Sequence, residues 1–295
     1  MDETTEQRSL KANAFETART INTFSMFSLE EPGCLLNSSC YNPKRKTAIY
    51  TFGFNGGPTD DSVKGIVKAY LSLNFNVLLV DWEDEAAGFL GSNVLGYITA
   101  VRKSVNVGKL LGEALVKLSR AGLEPCKIHL IGFSLGAPLM GYAAREVQKT
   151  GESIATVVGL DPARPLFDAF SLPCLDAASA SFVAIIHTNP GALGTVESTG
   201  TVDIWFNCKS PIQPGCISDQ CSHSRSWEYF VEMLSKPNNN KFIARRAKSC
   251  ETWSAKGETI TVGDKSHSKV RGNFNLNTNS EAPYGKGIAG SVPDS

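Results

Sequence analysis

Short apolar runs alternate along the chain with longer segments whose apolar residues recur every three or four positions. Thr47-Ala48-Ile49-Tyr50-Thr51-Phe52 reads as a strand ending at Gly53. Asn76 to Asp81 carries Val77, Leu78, Leu79 and Val80 without a break, as expected of a strand covered by helices on both faces. From Val94 to Arg120 the apolar spacing turns helical, through Ile98, Val101, Val105, Leu110, Ala114 and Leu118, with Gly122 to close it. Lys127 to Phe133 is a third strand, followed at once by a small-residue helix from Leu135 to about Lys149. Ile154–Leu160 and Ser181–His187 supply two more strands, and a helix over Ser224–Ser235 places Trp227, Phe230, Val231 and Leu234 on one face. Alternation of this kind predicts βαβ units and a mostly parallel sheet, hence an α/β fold.

Past Pro237 the pattern weakens. Asn238-Asn239-Asn240 reads as a turn, and the stretch from Arg271 is rich in Gly, Asn and Ser. Too few residues follow the last helix for a second domain of ordinary size. No internal repeat is visible, so residues 1–295 are expected to form one domain, with 1–20 a flexible N-terminus.

Charge removes several functions from consideration. Lys plus Arg balances Asp plus Glu at 29 each, so nothing favours nucleic acid or a general pull toward an anionic membrane. The basic groups Lys44-Arg45-Lys46 and Arg245, Arg246, Lys248 are short and read as solvated surface. No apolar run approaches the roughly 18 residues that span a bilayer. The eight cysteines are an even number, expected to form up to four disulfides in a secreted protein; the competing reading is a cytosolic chain with free thiols. One glycosylation sequon, Asn37-Ser38-Ser39, lies between Cys34 and Cys40, which fits an exposed loop. The start, Met1 to Arg8, is polar and no apolar leader follows, so the expectation is a mature extracellular form whose signal peptide has been removed.

The chemistry concentrates at Ile131-Gly132-Phe133-Ser134-Leu135-Gly136-Ala137. Here Gly-x-Ser-x-Gly directly follows a predicted strand and directly precedes a predicted helix. A sharp strand-to-helix turn strains the serine backbone, requires small flanking residues, and aims helix N-terminal amides at developing negative charge. The bland reading is a tight structural turn, which tolerates serine without needing it. A serine hydroxyl needs a base. Of the four histidines, His129 lies inside the elbow strand and reads as packing; His267 lies in a polar segment and reads as solvated. His187, at the end of an apolar strand, is the runner-up. His223, in Cys221-Ser222-His223-Ser224-Arg225-Ser226, lies in an expected loop just before a helix and is the best base. Asp161, in Gly159-Leu160-Asp161-Pro162-Ala163, ends a strand at the carboxyl edge where the serine also emerges; Asp168, Asp176 and Asp203 are less well placed. The order Ser134, Asp161, His223 is that of α/β-hydrolases. Oxyanion donors are expected from the backbone N–H of Leu135 and of Phe54, the latter in a Gly-rich turn whose bland reading is a simple strand end. A zinc site from Cys208, Cys216, Cys221 and His223 is disfavoured, because no C-x₂-C pair is present; no metal is expected.

Together these blocks resemble the pancreatic-lipase superfamily, and within it the insect branch of neutral lipases and phospholipases A1. The resemblance runs from about Phe24 to the C-terminus. It includes Phe52-Gly53-Phe54, Val80-Asp81-Trp82, Ile128 to Ala137, Gly159 to Ala163, Ile186-His187-Thr188, Pro214-Gly215-Cys216 and Cys221 to Ser226. It implies an α/β-hydrolase fold and a triad of Ser134, Asp161 and His223, with Phe54 and Leu135 at the oxyanion hole and no cofactor. It also implies a phospholipid or neutral glycerolipid substrate at a lipid–water interface. The family usually has histidine where this chain has Phe52, Phe133 and Pro138. The family's lid corresponds to Ile217, Ser218, Asp219 and Gln220, four residues too short to cover an acyl groove, so the site is expected to be open and phospholipase A1-like. No lipid-docking domain follows, so no colipase partner is expected. The alternatives are a triacylglycerol lipase, or a catalytically silent lipid-binding or yolk-type protein.

Overall fold

Eleven strands join in a single sheet in the computed structural model, which describes residues 24–87, 94–163, 172–235, 241–263 and 270–293, and the backbone of 11–15. In chain order the strands are β1 Lys11–Phe15, β2 Phe24–Ser28, β3 Thr47–Thr51, β4 Asn76–Asp81, β5 Ile128–Phe133, β6 Thr156–Leu160, β7 Val183–His187 and β8 Val202–Phe206. They continue with β9 Ile243–Arg246, β10 Thr259–Thr261 and β11 Gly272–Leu276. The sheet order is β10-β9-β11-β8-β7-β6-β5-β3-β4-β1-β2. From β4 through β3, β5, β6, β7 and β8 to β11 every pairing is parallel, and the edges are antiparallel. This mostly parallel sheet flanked by helices is the expected α/β architecture.

The helices are α1 Asp61–Ser72, α2 Glu83–Ala86, α3 Val94–Arg120, α4 Gly136–Gln148 and α5 Asp219–Leu234. All five residues of β3 are buried, because helices cover both faces of the sheet there. Successive strand residues point to opposite faces. On one face Gly132 of β5 meets the start of α4; on the other His129 packs against Tyr70 of α1, which in turn packs on Phe230 of α5. The long helix α3 lies on α4, where a side chain at Gly108 would come within 2.6 Å of the Leu139 carbonyl oxygen. Glycine at that position is what allows the close crossing.

The strands and helices predicted from periodicity appear within a residue or two of their expected limits, with one exception that affects the site. Helix α5 begins at Asp219, five residues before the expected Ser224, so His223 lies in its second turn and not in a preceding loop. The early start has a local cause: Ser218 caps the helix, accepting from the Cys221 amide at 3.2 Å, and a Cys216–Cys221 disulfide closes the first turn. Helix α1 was not anticipated, although Val63, Ile66, Val67 and Tyr70 are buried at helical spacing. Strands β8, β9, β10 and β11 were also missed; they are short, and β11 joins β8 only across some seventy residues of chain, at Gly272↔Val202. Within the stretch expected to be a flexible N-terminus, Lys11–Phe15 pairs with β4 and so covers an otherwise open sheet edge. The rest of residues 1–20 lies outside the described residues.

Two disulfides form, Cys208–Cys250 and Cys216–Cys221. They take up three of the four members of the zinc alternative. The sulfurs of Cys34, Cys40, Cys126 and Cys174 are not disulfide-bonded, fewer bridges than the maximum of four. Cys34 is exposed, within a short helical turn at Pro32–Asn37, and Cys40 is buried. No helix among the described residues is long and apolar enough to cross a membrane.

Candidate active site

Strand β5 delivers Ser134 to the carboxyl edge of the sheet, and the turn into α4 fixes its backbone at φ 54°, a left-handed conformation uncommon outside glycine. Packing explains the flanking glycines. A Cβ at Gly132 would lie 2.2 Å from the Gly136 carbonyl oxygen, and one at Gly136 would lie 2.7 Å from that of Thr51. The turn is held by the Ser134 amide donating to the Leu160 carbonyl at 3.0 Å, and by the Ser134 carbonyl accepting from the Ala137 and Ala163 amides at 3.0 and 3.2 Å. Strand β6 and the elbow are therefore tied together next to the serine.

Asp161 follows β6 directly, itself at φ 44°, and is fully buried. Its Oδ1 accepts the backbone amides of Thr188 and Asn189 at 2.8 and 3.0 Å. Its Oδ2 lies 2.5 Å from Nδ1 of His223, which is 4% exposed. Three donors converge on one carboxylate, hold it in place and orient the imidazole so that Nδ1–H donates to the aspartate. Gly194 closes over this carboxylate: a Cβ there would come within 2.5 Å of Asp161 Oδ1. The backbone carbonyl of His223 accepts from the Ser226 hydroxyl at 2.8 Å and from Thr188 Oγ1 at 3.4 Å. Its ring lies 4.7 Å from that of Phe133, neighbour of the serine. Of the other positions where the family usually has histidine, Phe52 is buried, stacked on Trp82, and Pro138 is buried in the first turn of α4, where its missing N–H costs no helical bond.

The Phe52-Gly53-Phe54 turn touches the serine. A Cβ at Gly53 would sit 2.6 Å from Ser134 Cβ and 3.2 Å from its Oγ. The Trp82 indole N–H donates to the Phe52 carbonyl at 3.1 Å, and the Phe54 ring packs edge-on to Tyr97 at 5.2 Å. Neither the Phe54 amide nor the Leu135 amide donates to an acceptor among the described residues, which leaves both for a ligand oxygen.

The alternatives have other employment. His187, fully buried, sets Nε2 2.9 Å from Asp203 Oδ1 and Nδ1 3.3 Å from the Thr195 carbonyl oxygen, and stacks on Trp205 at 3.7 Å. Asp176 caps a short helical turn and pairs with Arg145. His129 packs with Tyr70 and Phe75. Asp168 and His267 lie outside the described residues.

Sequence reasoning missed what holds Asp161 and His223 in place. Thr188 and Asn189 act through backbone amides, which no side-chain pattern reveals. Gln213, 2% exposed, donates to the Thr188 and Phe206 carbonyls at 2.8 and 2.9 Å and accepts from Asn207 and Tyr229, joining the β7 and β8 ends to α5. Its proximity to the Pro214-Gly215-Cys216 block was the available signal. Between the paired cysteines, Ile217 is fully exposed, while Asp219 accepts from the Asn189 side chain at 2.9 Å.

The fold is that of the α/β-hydrolases, and similarity to known proteins makes the chain a carboxylic ester hydrolase. More narrowly, the chain belongs to the lipase family, whose model, described as Lipase, matches residues 14–284. A phospholipase A1 from Polybia paulista is 33% identical over 259 residues, covering 81% of this chain and 78% of that protein. A phospholipase A1 from Vespula vulgaris is 37% identical over 205 residues, covering 64% of this chain and 59% of that protein. Among solved structures, a dienelactone hydrolase-like promiscuous phosphotriesterase from metagenomic libraries matches 77% of this chain and 98% of its own, at 16% identity and a TM-score of 0.39.

Proposed function

We propose that the protein hydrolyses an acyl ester of a glycerolipid through an acyl-enzyme on Ser134, with His223 as general base and Asp161 as its orienting carboxylate. One observation carries this reading: the buried 2.5 Å contact between Asp161 Oδ2 and His223 Nδ1, built at the strand edge where Ser134 emerges. With Nδ1 committed to Asp161, Nε2 is the nitrogen left to take the serine proton. Ser134 Oγ attacks the ester carbonyl carbon, and the oxyanion that forms is received by the Phe54 and Leu135 amides. His223 then returns the proton to the departing alcohol oxygen. Water, deprotonated by the same imidazole, releases the fatty acid.

Phospholipid cleaved at its outer ester is the favoured substrate over triacylglycerol. The names of the relatives support this, as does the length of Ile217, Ser218, Asp219 and Gln220, which are closed into a small loop by Cys216–Cys221. A segment so short and so tied cannot fold over an acyl groove, so the site is open at all times and needs no colipase; exposed Ile217 supplies apolar contact with the lipid surface. The two disulfides support an oxidising, extracellular location.

Incubation with a phosphatidylcholine bearing two different acyl chains, and separately with triolein, tests the substrate. Release of the outer chain alone is expected; release only from triolein overturns the phospholipase reading. A fluorophosphonate probe tests the nucleophile. Covalent labelling that Ser134→Ala removes is expected, whereas absence of labelling favours a silent lipid carrier. In Ser134→Ala, kcat falls by about 10⁴-fold or more, by analogy with other triads.

A further inference from the structure

At the opposite edge of the sheet from Ser134, between the sheet and α5, lies an apolar cavity of about 410 Å³. Its walls run from the starts of β6, β7 and β8 up to Ile186 near the end of β7, including Val158, Ala184 and Ile204, and take in Phe230 and Met233 of α5. At a strand rise of about 3.3 Å per residue, His129 on its wall lies about 16 Å along β5 from the catalytic edge. The volume falls within the usual range of small-ligand pockets, about 300–1,000 Å³. Among the described residues no carboxylate lines it, whereas Lys46 does, exposed and in no ion pair. Tyr70 lines it too, 3% exposed, and its hydroxyl makes no hydrogen bond among the described residues. That hydroxyl is left able to donate to a ligand in the cavity.

We propose that this cavity is a second lipid site, which takes the chain of a long-chain fatty acid with its carboxylate toward the Tyr70 hydroxyl and the Lys46 ammonium. From Phe182 to Ile186 the wall runs about 13 Å along β7, a length suited to an extended acyl chain. Charge selects the occupant: a cation and a hydroxyl donor at a mostly apolar site, with no acid among its described lining residues, favour an anionic amphiphile over a neutral one. The neighbouring sequence offers no substitute, since 236–240 and 264–269 contain no apolar side chain other than Pro237. The inference does not require hydrolysis and stands whether or not Ser134 is the nucleophile.

Titration with the fluorescent fatty acid cis-parinaric acid tests it, on the full chain and on protein whose Ser134 has been treated with a fluorophosphonate. Binding that survives the treatment is expected. Ala184→Phe fills the cavity and weakens binding by about tenfold or more, while hydrolysis of a short water-soluble ester stays as in the unmodified protein. Should that variant fail to fold, Ala155→Leu at the rim carries the same test. Lys46→Gln weakens the acid by about threefold and leaves cis-parinaric methyl ester unaffected. Equal binding in the unmodified protein and the cavity variants overturns the proposal. So does displacement of the probe by lysophosphatidylcholine with none by oleate, or loss of all binding on fluorophosphonate treatment.

Discussion

At Gly194 a single hydrogen atom stands in for a side chain because the Asp161 carboxylate occupies the space a methyl group would need. Gly194→Ala pushes that carboxylate away from Nδ1 of His223 without touching substrate. A misplacement of about 1 Å in a catalytic constellation costs on the order of 10²-fold in rate, so kcat is expected to fall by about that much. KM should stay near its original value and circular dichroism should be native; unchanged kcat would contradict the orienting role of Asp161. The residue scale is also where the sequence was most readable. Ser134 was marked by its glycines, and the geometry explains both: each is a point where backbone meets backbone. His187 shows the limit. Its place at a strand end made it a candidate base, and only the fold reveals that Asp203 and the Thr195 carbonyl engage both ring nitrogens.

Among the elements, β7 and β8 are bolted together by that pair, and the loop after β7 supplies the two amides that hold Asp161. Asp203 also accepts the Gly200 amide at 3.0 Å, pinning the turn into β8. Leaving a buried hydrogen-bonding group without its partner costs about 1–3 kcal/mol. Asp203→Ala is therefore expected to lower the urea midpoint by an amount corresponding to that loss. Activity should fall even at temperatures where the variant remains folded, because the Thr188–Asn189 segment loosens. A midpoint within error of the unmodified protein would argue against this linkage. Helix α5 teaches a different lesson. Its first turns carry Ser222, His223, Arg225 and Ser226, all buried polar residues, so the apolar periodicity that marks a helix is missing where the site is built. The reading from sequence began at Ser224 for that reason.

For the molecule as a whole, the two disulfides differ in reach: Cys208–Cys250 spans 42 residues and Cys216–Cys221 only 5. Loop-closure entropy gives about 4 kcal/mol for the first and about 2 kcal/mol for the second. Cys208→Ser/Cys250→Ser should lower stability about twice as much as Cys216→Ser/Cys221→Ser, read from urea midpoints. The reverse order would show that the short bridge does more than cap α5. Stability should also depend on alkaline pH. Burial pushes Tyr229 up to about 12, and Tyr284 up to about 12, while Tyr50 and Tyr70 are raised by burial as well. An unfolded tyrosine ionises near pH 10, so above that pH the unfolded state has lost protons the folded state keeps. Stability present below about pH 10 is then lost as pH rises toward 12, checked by urea midpoints at pH 9, 10 and 11; a midpoint constant across that span would rule it out.

By itself the sequence determined the parallel core and the strand–turn–helix elbow at Ser134, since strand burial, helix periodicity and the Gly-x-Ser-x-Gly turn are local properties written in consecutive residues. It also named Asp161 and His223, through their places at a strand end and in a polar run. Tertiary structure alone decided what surrounds them. The amides of Thr188 and Asn189, the closing Gly194, the Gln213 junction, the β8–β11 half of the sheet and the cavity beneath α5 all arise from contacts between segments far apart in the chain. Those made through backbone amides use groups that every residue shares, and the others need partners that only folding brings together, so side-chain pattern along the chain does not display them.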